Sequence, residues 1–304
     1  MASREFVDTT IAVRAPATSA NLGPGFDALG LALSWHDGVE VRVTGSELAV
    51  EVTGEGAESV VRDETHLVVR SMLAAFDAIG VGQPAGLVVR CHNRIPHGRG
   101  LGSSAAAIVT GIVAARALVS DGPERLDEAA ALRLAAELEG HPDNVAACLL
   151  GGLTVAWADG DGARALTVSP DVRVVAMVPP HSVSTEAARG LLPELVPHAD
   201  AARNAGRAAL LVAALTSYAR PDVLLAATDD RLHQTYRAPA MPDSYSLVQR
   251  LRADGIAAII SGAGPTVVAL LPADADPEAV RGRTPDGWRC LAPGVDARGA
   301  HLRE

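Results

Sequence analysis

Lysine is missing from this 304-residue sequence: all 26 of its Lys-plus-Arg positions are arginine. That absence removes whole mechanisms. A lysine-anchored phosphate loop, the strand lysine of protein kinases and Schiff-base chemistry all need a side-chain amine. Any nucleotide must therefore be held largely by backbone amides. Aromatic residues are also scarce, at 3%, so Ala, Val, Leu and Ile have to fill the core. The few cysteines, Cys91, Cys148 and Cys290, are widely spaced. They suit reduced thiols better than a disulfide framework or a zinc site, and point to the cytoplasm. The longest apolar stretch, 105–119, is broken by Arg116 and is too short to span a bilayer. Residues 1–10 include Arg4, Glu5 and Asp8 and offer no apolar leader. With a formal net charge of −10 and no basic block, binding to nucleic acid or to a membrane surface is not expected.

A chain of this length forms one large domain or two modest ones. Alternating or β-branched runs predict strands over 11–14, 38–44, 48–53 and 86–91. Helical spacing covers 64–79, 103–119 and 126–139, the last ending where His141-Pro142 blocks continuation. A strand over 151–157 leads to Asp159-Gly160-Asp161-Gly162, a hairpin turn. From Asp171 the pattern restarts, with strands over 172–178, 257–260 and 266–271 and helices over 185–192, 201–217 and 243–253. A division into 1–167 and 168–304 follows.

The most informative segment runs Pro96-His97-Gly98-Arg99-Gly100-Leu101-Gly102-Ser103-Ser104-Ala105-Ala106-Ala107. Its glycines let backbone N–H groups approach a ligand. The serines are expected as N-caps of the following helix, whose first turn leaves amides unpaired. Those amides and the helix dipole make an anion site that needs no lysine. A lone glycine-rich loop is more often just a flexible turn. Three alternating glycines, two serines and an alanine run in order argue against that here.

This loop resembles the phosphate loop of the GHMP small-molecule kinases. Two further stretches match family motifs in the right order: Ala15-Pro16-Ala17-Thr18-Ser19-Ala20-Asn21-Leu22-Gly23-Pro24-Gly25-Phe26-Asp27, and Ser261-Gly262-Ala263-Gly264-Pro265-Thr266. The first, with Glu139-Gly140-His141-Pro142-Asp143-Asn144, is similar to the branch of the family that phosphorylates L-homoserine, a step toward threonine. The resemblance implies an α+β fold of two domains. The N-terminal one is ribosomal-S5-domain-2-like, the C-terminal one ferredoxin-like, and the active site lies in the cleft between them. It also implies ATP and L-homoserine as substrates, Mg²⁺ as the accompanying ion, and a homodimer as the assembly typical of relatives.

Carried over residue by residue, the resemblance implies that Pro96, Gly98, Gly100, Leu101, Gly102, Ser103, Ser104 and Ala105 bind phosphate. Ser104 and Glu139 are the expected metal ligands, with Glu137 as the alternative carboxylate. Asn21, Asp27 and Asn144 meet the amino-acid substrate, Asp27 through its ammonium, and Arg189 and Arg237 clamp its carboxylate. Arginine suits that task because its fork reaches both oxygens. Glu139, Ser104 and Asn144 form the catalytic set; no base is assigned, with Asp143 available, and His141 is read as structural. Where relatives commonly carry Thr-Asn-Leu-Val near the adenine, this chain has Thr65-His66-Leu67-Val68, which leaves ATP against GTP open at His66. Mevalonate- or sugar-type kinases and a silent ligand sensor on the same fold are the alternative readings.

Overall fold

The computed structural model describes residues 5–303; the first four residues of the stretch 1–10 read above lie outside them. The first half comprises β1 (Ile11–Ala20), β2 (Leu29–Thr44), β3 (Ala49–Gly54), α1 (Leu67–Ile79), β4 (Gly86–Asn93) and α2 (Ser103–Leu118). It continues with α3 (Gly122–Arg125), α4 (Glu128–Glu139), α5 (Pro142–Leu150), β5 (Leu153–Asp159) and β6 (Gly162–Val168). The second half holds β7 (Val172–Val178), α6 (Thr185–Arg189), α7 (His198–Thr216), α8 (Pro221–Ala227), α9 (Gln234–Arg237) and α10 (Pro242–Ala253). It ends with β8 (Ala257–Ile260), β9 (Val267–Pro272), α11 (Glu278–Arg281), β10 (Arg289–Leu291) and β11 (His301–Leu302).

Among the described residues the strands form two sheets, one of 7 strands and one of 4. The long strand β2 serves two neighbours on one side: its first residues pair with β5 and its later ones with β4. Along its other side lies β1, whose register shifts between Pro16 and Ala17. Proline has no N–H to give the ladder, and such a shift bends a strand. Here the bend carries Thr18 to Ala20 toward the glycine-rich loop. Helix α2 is buried on nearly every side, as expected of a helix apolar all round. Gly111 lets α1 lie against it, because a Cβ there would meet Val68 O at 2.5 Å.

The smaller sheet has the order β10-β7-β9-β8, antiparallel throughout. Taken in chain order as strand, helices, strand, strand, helix, strand, this is the ferredoxin-like arrangement. Strands β7, β8 and β9 are buried on both faces, and their side chains alternate with period two. Val174, Ala176, Ile259 and Leu270 join a core with α7 and α8 that is continuous with the first half. Val175, Met177, Ala258 and Ile260 pack with α10 in a second core.

The chain then returns to where it began. Val295 bridges to Leu33, and β11 pairs with β1, placing Leu302 opposite Val13. Inside this strap His36 Nε2 lies 2.6 Å from Asp296 Oδ2, with both residues buried. Thus 294–303 pack on the first sheet, although they follow the second in sequence.

The main departure from expectation is α5. His141-Pro142 does end α4, yet Pro142 stands in the first turn of a new helix, where a missing N–H costs nothing. No helix among the described residues is long and apolar enough to cross a membrane.

Candidate active site

Four separate segments are tied together at one point. Ser261 Oγ donates to Gly100 O at 2.6 Å, and Gly262 N donates to Ala20 O at 3.0 Å. Thr18 N donates to Leu101 O at 3.0 Å, and the Thr18 hydroxyl donates to Asn144 Oδ1 at 2.7 Å. The glycines make this closeness possible. Gly98, Gly100 and Gly102 all have left-handed φ, from 63° to 69°. A Cβ on Gly100 would lie 2.1 Å from Ser261 O, and one on Gly102 1.9 Å from Thr18 Oγ1. One expectation is corrected: the N-cap of α2 is Gly102, and Ser103 and Ser104 are its first helical residues. Glycine takes the left-handed cap position, leaving both hydroxyls and the first-turn amides free of capping duty.

Two cavities meet at Ser103 and Ser104. The first, about 360 Å³, is lined by Val39, Val60, Leu67, Val68, Ala107 and His66 among others. It is apolar, as a nucleoside site should be. His66 is buried there with Nδ1 unpartnered. Burial, and then the nearby His97, push its pKa below the ordinary histidine value, so the ring is neutral at pH 7. The second cavity, about 210 Å³, is lined by Asn21, Asp27, Gly98, Gly100, Leu101, Gly102, Glu139, Asn144, Arg189 and Arg237, together with both serines. The predicted site residues therefore converge, with two exceptions. Pro96 and Ala105 are buried and line neither cavity.

At the junction the Ser104 hydroxyl donates to Glu139 Oε1 at 2.6 Å. Glu137, the alternative carboxylate, is exposed and lines neither cavity. Burial lifts the Glu139 carboxyl above the usual range, against the lowering effects of Ser104 and His141. A carboxylate in that position, at the negative end of α4, is relieved by a cation. No group of three or more His, Cys, Asp or Glu residues among the described residues forms a metal cage by itself. One carboxylate and one hydroxyl fit an ion whose other ligands come from substrate phosphates and water, as is usual for Mg²⁺.

The far end of the cavity is built for charge. Asn21, Leu22 and Asp27 all have positive φ, at 66°, 49° and 54°. Strained non-glycine residues gather at functional sites because the surroundings hold them there. Asn21 braces the turn, accepting Asp27 N–H at 2.9 Å and donating to Gly262 O at 3.0 Å. Asp27 and Arg189 make a two-pronged pair at 2.9 and 3.1 Å. Arg237 differs sharply. It is 2% exposed, and no carboxylate pairs with it among the described residues. Its Nη1 meets only His233 Nδ1 at 3.3 Å and Gly262 O at 3.4 Å, and its Nε is buried without a partner. Burial, followed by Arg189, lowers its pKa, but a guanidinium stays charged.

Sequence reasoning missed several members of this site. His141 does not serve backbone groups, as a structural histidine would. Its Nδ1 donates to Asp143 Oδ1 at 2.7 Å, and it lines the second cavity. That bond raises the pKa of His141 against the effect of burial. Asp143, 2% exposed, also accepts Asn144 N–H at 2.8 Å. The adjacency of His141 and Asp143 in sequence was the available signal. Thr185 and Ala263 line the same cavity, and only the motifs around them hinted at it.

Known proteins point the same way as the geometry. Residues 66–152 match the GHMP kinases N-terminal domain, and residues 206–286 match the GHMP kinases C-terminal model. A homoserine kinase of Streptomyces avermitilis is 59% identical over 304 residues, covering 99% of this chain and 98% of that one. A homoserine kinase of Clavibacter michiganensis is 51% identical, covering 96% and 94%. The crystal structure of homoserine kinase from Cytophaga hutchinsonii superposes with a TM-score of 0.82 at 26% identity, covering 100% of both chains. Staphylococcus aureus mevalonate diphosphate decarboxylase, at 14% identity and a TM-score of 0.69 over 97% of this chain and 98% of that one, shares the fold. With relatives this similar along its whole length, the chain belongs to the homoserine kinase branch of the GHMP kinase family.

Proposed function

We propose that this protein transfers the γ-phosphate of ATP to the side-chain hydroxyl of L-homoserine, giving O-phospho-L-homoserine. The observation that carries this reading is Arg237: a buried cation that no carboxylate pairs with among the described residues, in a cavity that also holds a carboxylate and abuts the glycine-rich loop. A zwitterion with a short alcohol arm supplies what that cavity lacks. Its carboxylate would neutralise Arg237, with Arg189 as the second prong. Its ammonium would face Asp27 and Asn21, displacing the Asp27–Arg189 pair seen here.

The hydroxyl is then directed toward Asn144 and the γ-phosphate. The nucleoside occupies the apolar cavity beside His66, and its phosphates lie on the amides of residues 100–104. Ser104 and Glu139 would hold Mg²⁺, which offsets charge on the phosphates. Phosphoryl transfer asks mainly for alignment and charge stabilisation from the protein. The loop amides, Asn144 and the two arginines provide both, and no dedicated base is assigned. We place the reaction in the cytoplasm and divide the chain as 1–167 and 168–304, with the terminal strap docking on the first unit.

The test is ADP release with Mg-ATP against L-homoserine, D-homoserine, L-serine, L-threonine, mevalonate and galactose. Strong preference for L-homoserine is expected, as is loss of activity in chelator and recovery with Mg²⁺. Turnover of mevalonate or galactose instead would keep the family and overturn the substrate. Replacing ATP by GTP in the same assay decides the nucleotide.

A further inference from the structure

His233 is fully buried behind the substrate cavity and does not line it. Its two ring nitrogens have fixed and opposite duties. Nε2 lies 2.9 Å from Gly23 O, a carbonyl that only accepts, so Nε2 carries the proton. Nδ1 therefore presents a lone pair, and it receives Arg237 Nη1–H at 3.3 Å. The face of the ring stacks on Phe26, with centroids 5.2 Å apart. Phe26 in turn lies under the guanidinium of Arg237 at 5.3 Å.

The backbone that carries the imidazole is held from behind as well. Asp230, a buried carboxylate, accepts the backbone N–H groups of Leu232, His233 and Gln234 at 2.7 to 3.2 Å. One ring thus touches both poles of the zwitterion site. On one side it meets Arg237, which no carboxylate pairs with among the described residues. On the other it meets the turn 21–27, which carries Asn21 and Asp27 in left-handed conformations. Burial disfavours a charged ring here, despite Asp230 nearby, so the neutral tautomer persists.

We infer that His233 is a positioning residue for substrate recognition: its neutral imidazole sets the distance and orientation between Arg237 and the Asn21–Asp27 turn. Specificity for an α-amino acid then depends on a side chain the substrate never touches. This rests on the homoserine reading above. Deleting both ring bonds releases Arg237, which loses its fixed geometry though not its charge. A glutamine offers one acceptor and one donor at similar reach, and restores part of the arrangement.

The experiment compares wild type, His233→Phe and His233→Gln, each with L-homoserine and with L-homoserine amide, which lacks the carboxylate. Phenylalanine keeps the stacking and removes the hydrogen bonds. For His233→Phe the KM for L-homoserine should rise by about tenfold or more, with the KM for ATP within about twofold. The kcat/KM preference for L-homoserine over its amide should fall by a similar factor, and His233→Gln should recover a substantial part of it. A general loss of folding would lower turnover of both acceptors alike and would not alter that ratio. An unchanged ratio in folded His233→Phe overturns the inference. Should His233→Phe not fold, His233→Leu takes its place, as it also removes both ring bonds: an unchanged ratio there overturns the inference, and a fall that His233→Gln largely reverses supports it. A wild-type enzyme that ignores L-homoserine defeats the underlying reading instead.

Discussion

At the scale of single residues, the contact between Ser104 and Glu139 separates two carboxylates that sequence could not. Glu137 and Glu139 stand two positions apart near the same helix end, and only the fold shows which one turns to the phosphate loop. Glu139→Gln should lower activity by at least about a hundredfold, while Glu137→Gln leaves it near wild type. Stability should move the other way. Because the fold raises the pKa of Glu139, it favours the protonated form. The stability gained is full below the group's ordinary pKa and is lost as pH rises through the raised value. In chelator at neutral pH, Glu139→Gln should therefore melt at or above the wild-type temperature. A clear drop in melting temperature would show that the carboxylate supports the fold. That Ser103, Ser104, Asn21, Asp27 and Arg189 would come to one cavity was legible because they lie in ordered motifs. His233 and the ring of His141 were not, because their roles rest on partners that only tertiary structure or ring orientation supplies.

At the scale of elements, the glycine-rich loop and the helix that follows it were legible, but the helix cap was assigned to the wrong residue type. Serine statistics favour an N-cap, yet a left-handed cap pressed against Thr18 admits glycine alone. Gly102→Ala would force both a strained φ and a Cβ 1.9 Å from Thr18 Oγ1. We expect it to raise the KM for ATP and cut kcat/KM by about a hundredfold or more, with a lower melting temperature. Gly140→Ala is the control, since a Cβ there meets nothing within 4 Å although φ is 91°. It should cost roughly 1 kcal/mol of stability and leave the KM for ATP unchanged. Equal kinetic damage from both substitutions would deny the loop its special tightness. Helix α5 escaped the sequence reading because proline marks both helix ends and helix starts. What distinguishes them is the tertiary packing of Val145, Ala146 and Cys148, all buried.

At the scale of the whole molecule, periodicity foretold a mixed α+β chain with a restart near Asp171. The two-sheet topology came from resemblance, since strand order is set by long-range pairing that local pattern does not encode. The return of the carboxyl end was not foreseen, because β11 is only two residues long. Its anchor is testable. Burial alone would raise the pKa of Asp296, but the His36 bond and the amides of Gly299 and Arg298 outweigh it, and the net shift is downward. The stabilisation is therefore present above the ordinary aspartate pKa and is lost as pH falls through the depressed value. Asp296→Ala should destabilise the protein by roughly 1–3 kcal/mol at pH 7, as expected when buried donors lose their acceptor. Urea titrations should show that gap narrowing toward pH 3. A pH-independent gap would assign the effect to packing instead.

The pairing of β11 with β1 also bears on how the enzyme is made. The strand that carries Thr18 to Ala20 into the site is synthesised well before its outer neighbour, because β11 follows it by most of the described chain. Until β11 is made, the outer side of β1 at Val13 and Arg14 is an open edge, the kind of surface that invites pairing with other chains. A nascent chain that has not reached residue 294 also holds His36 without Asp296. Ribosome-bound chains stalled short of residue 294 should thus be more prone to proteolysis than chains stalled beyond residue 303 with that segment clear of the ribosome.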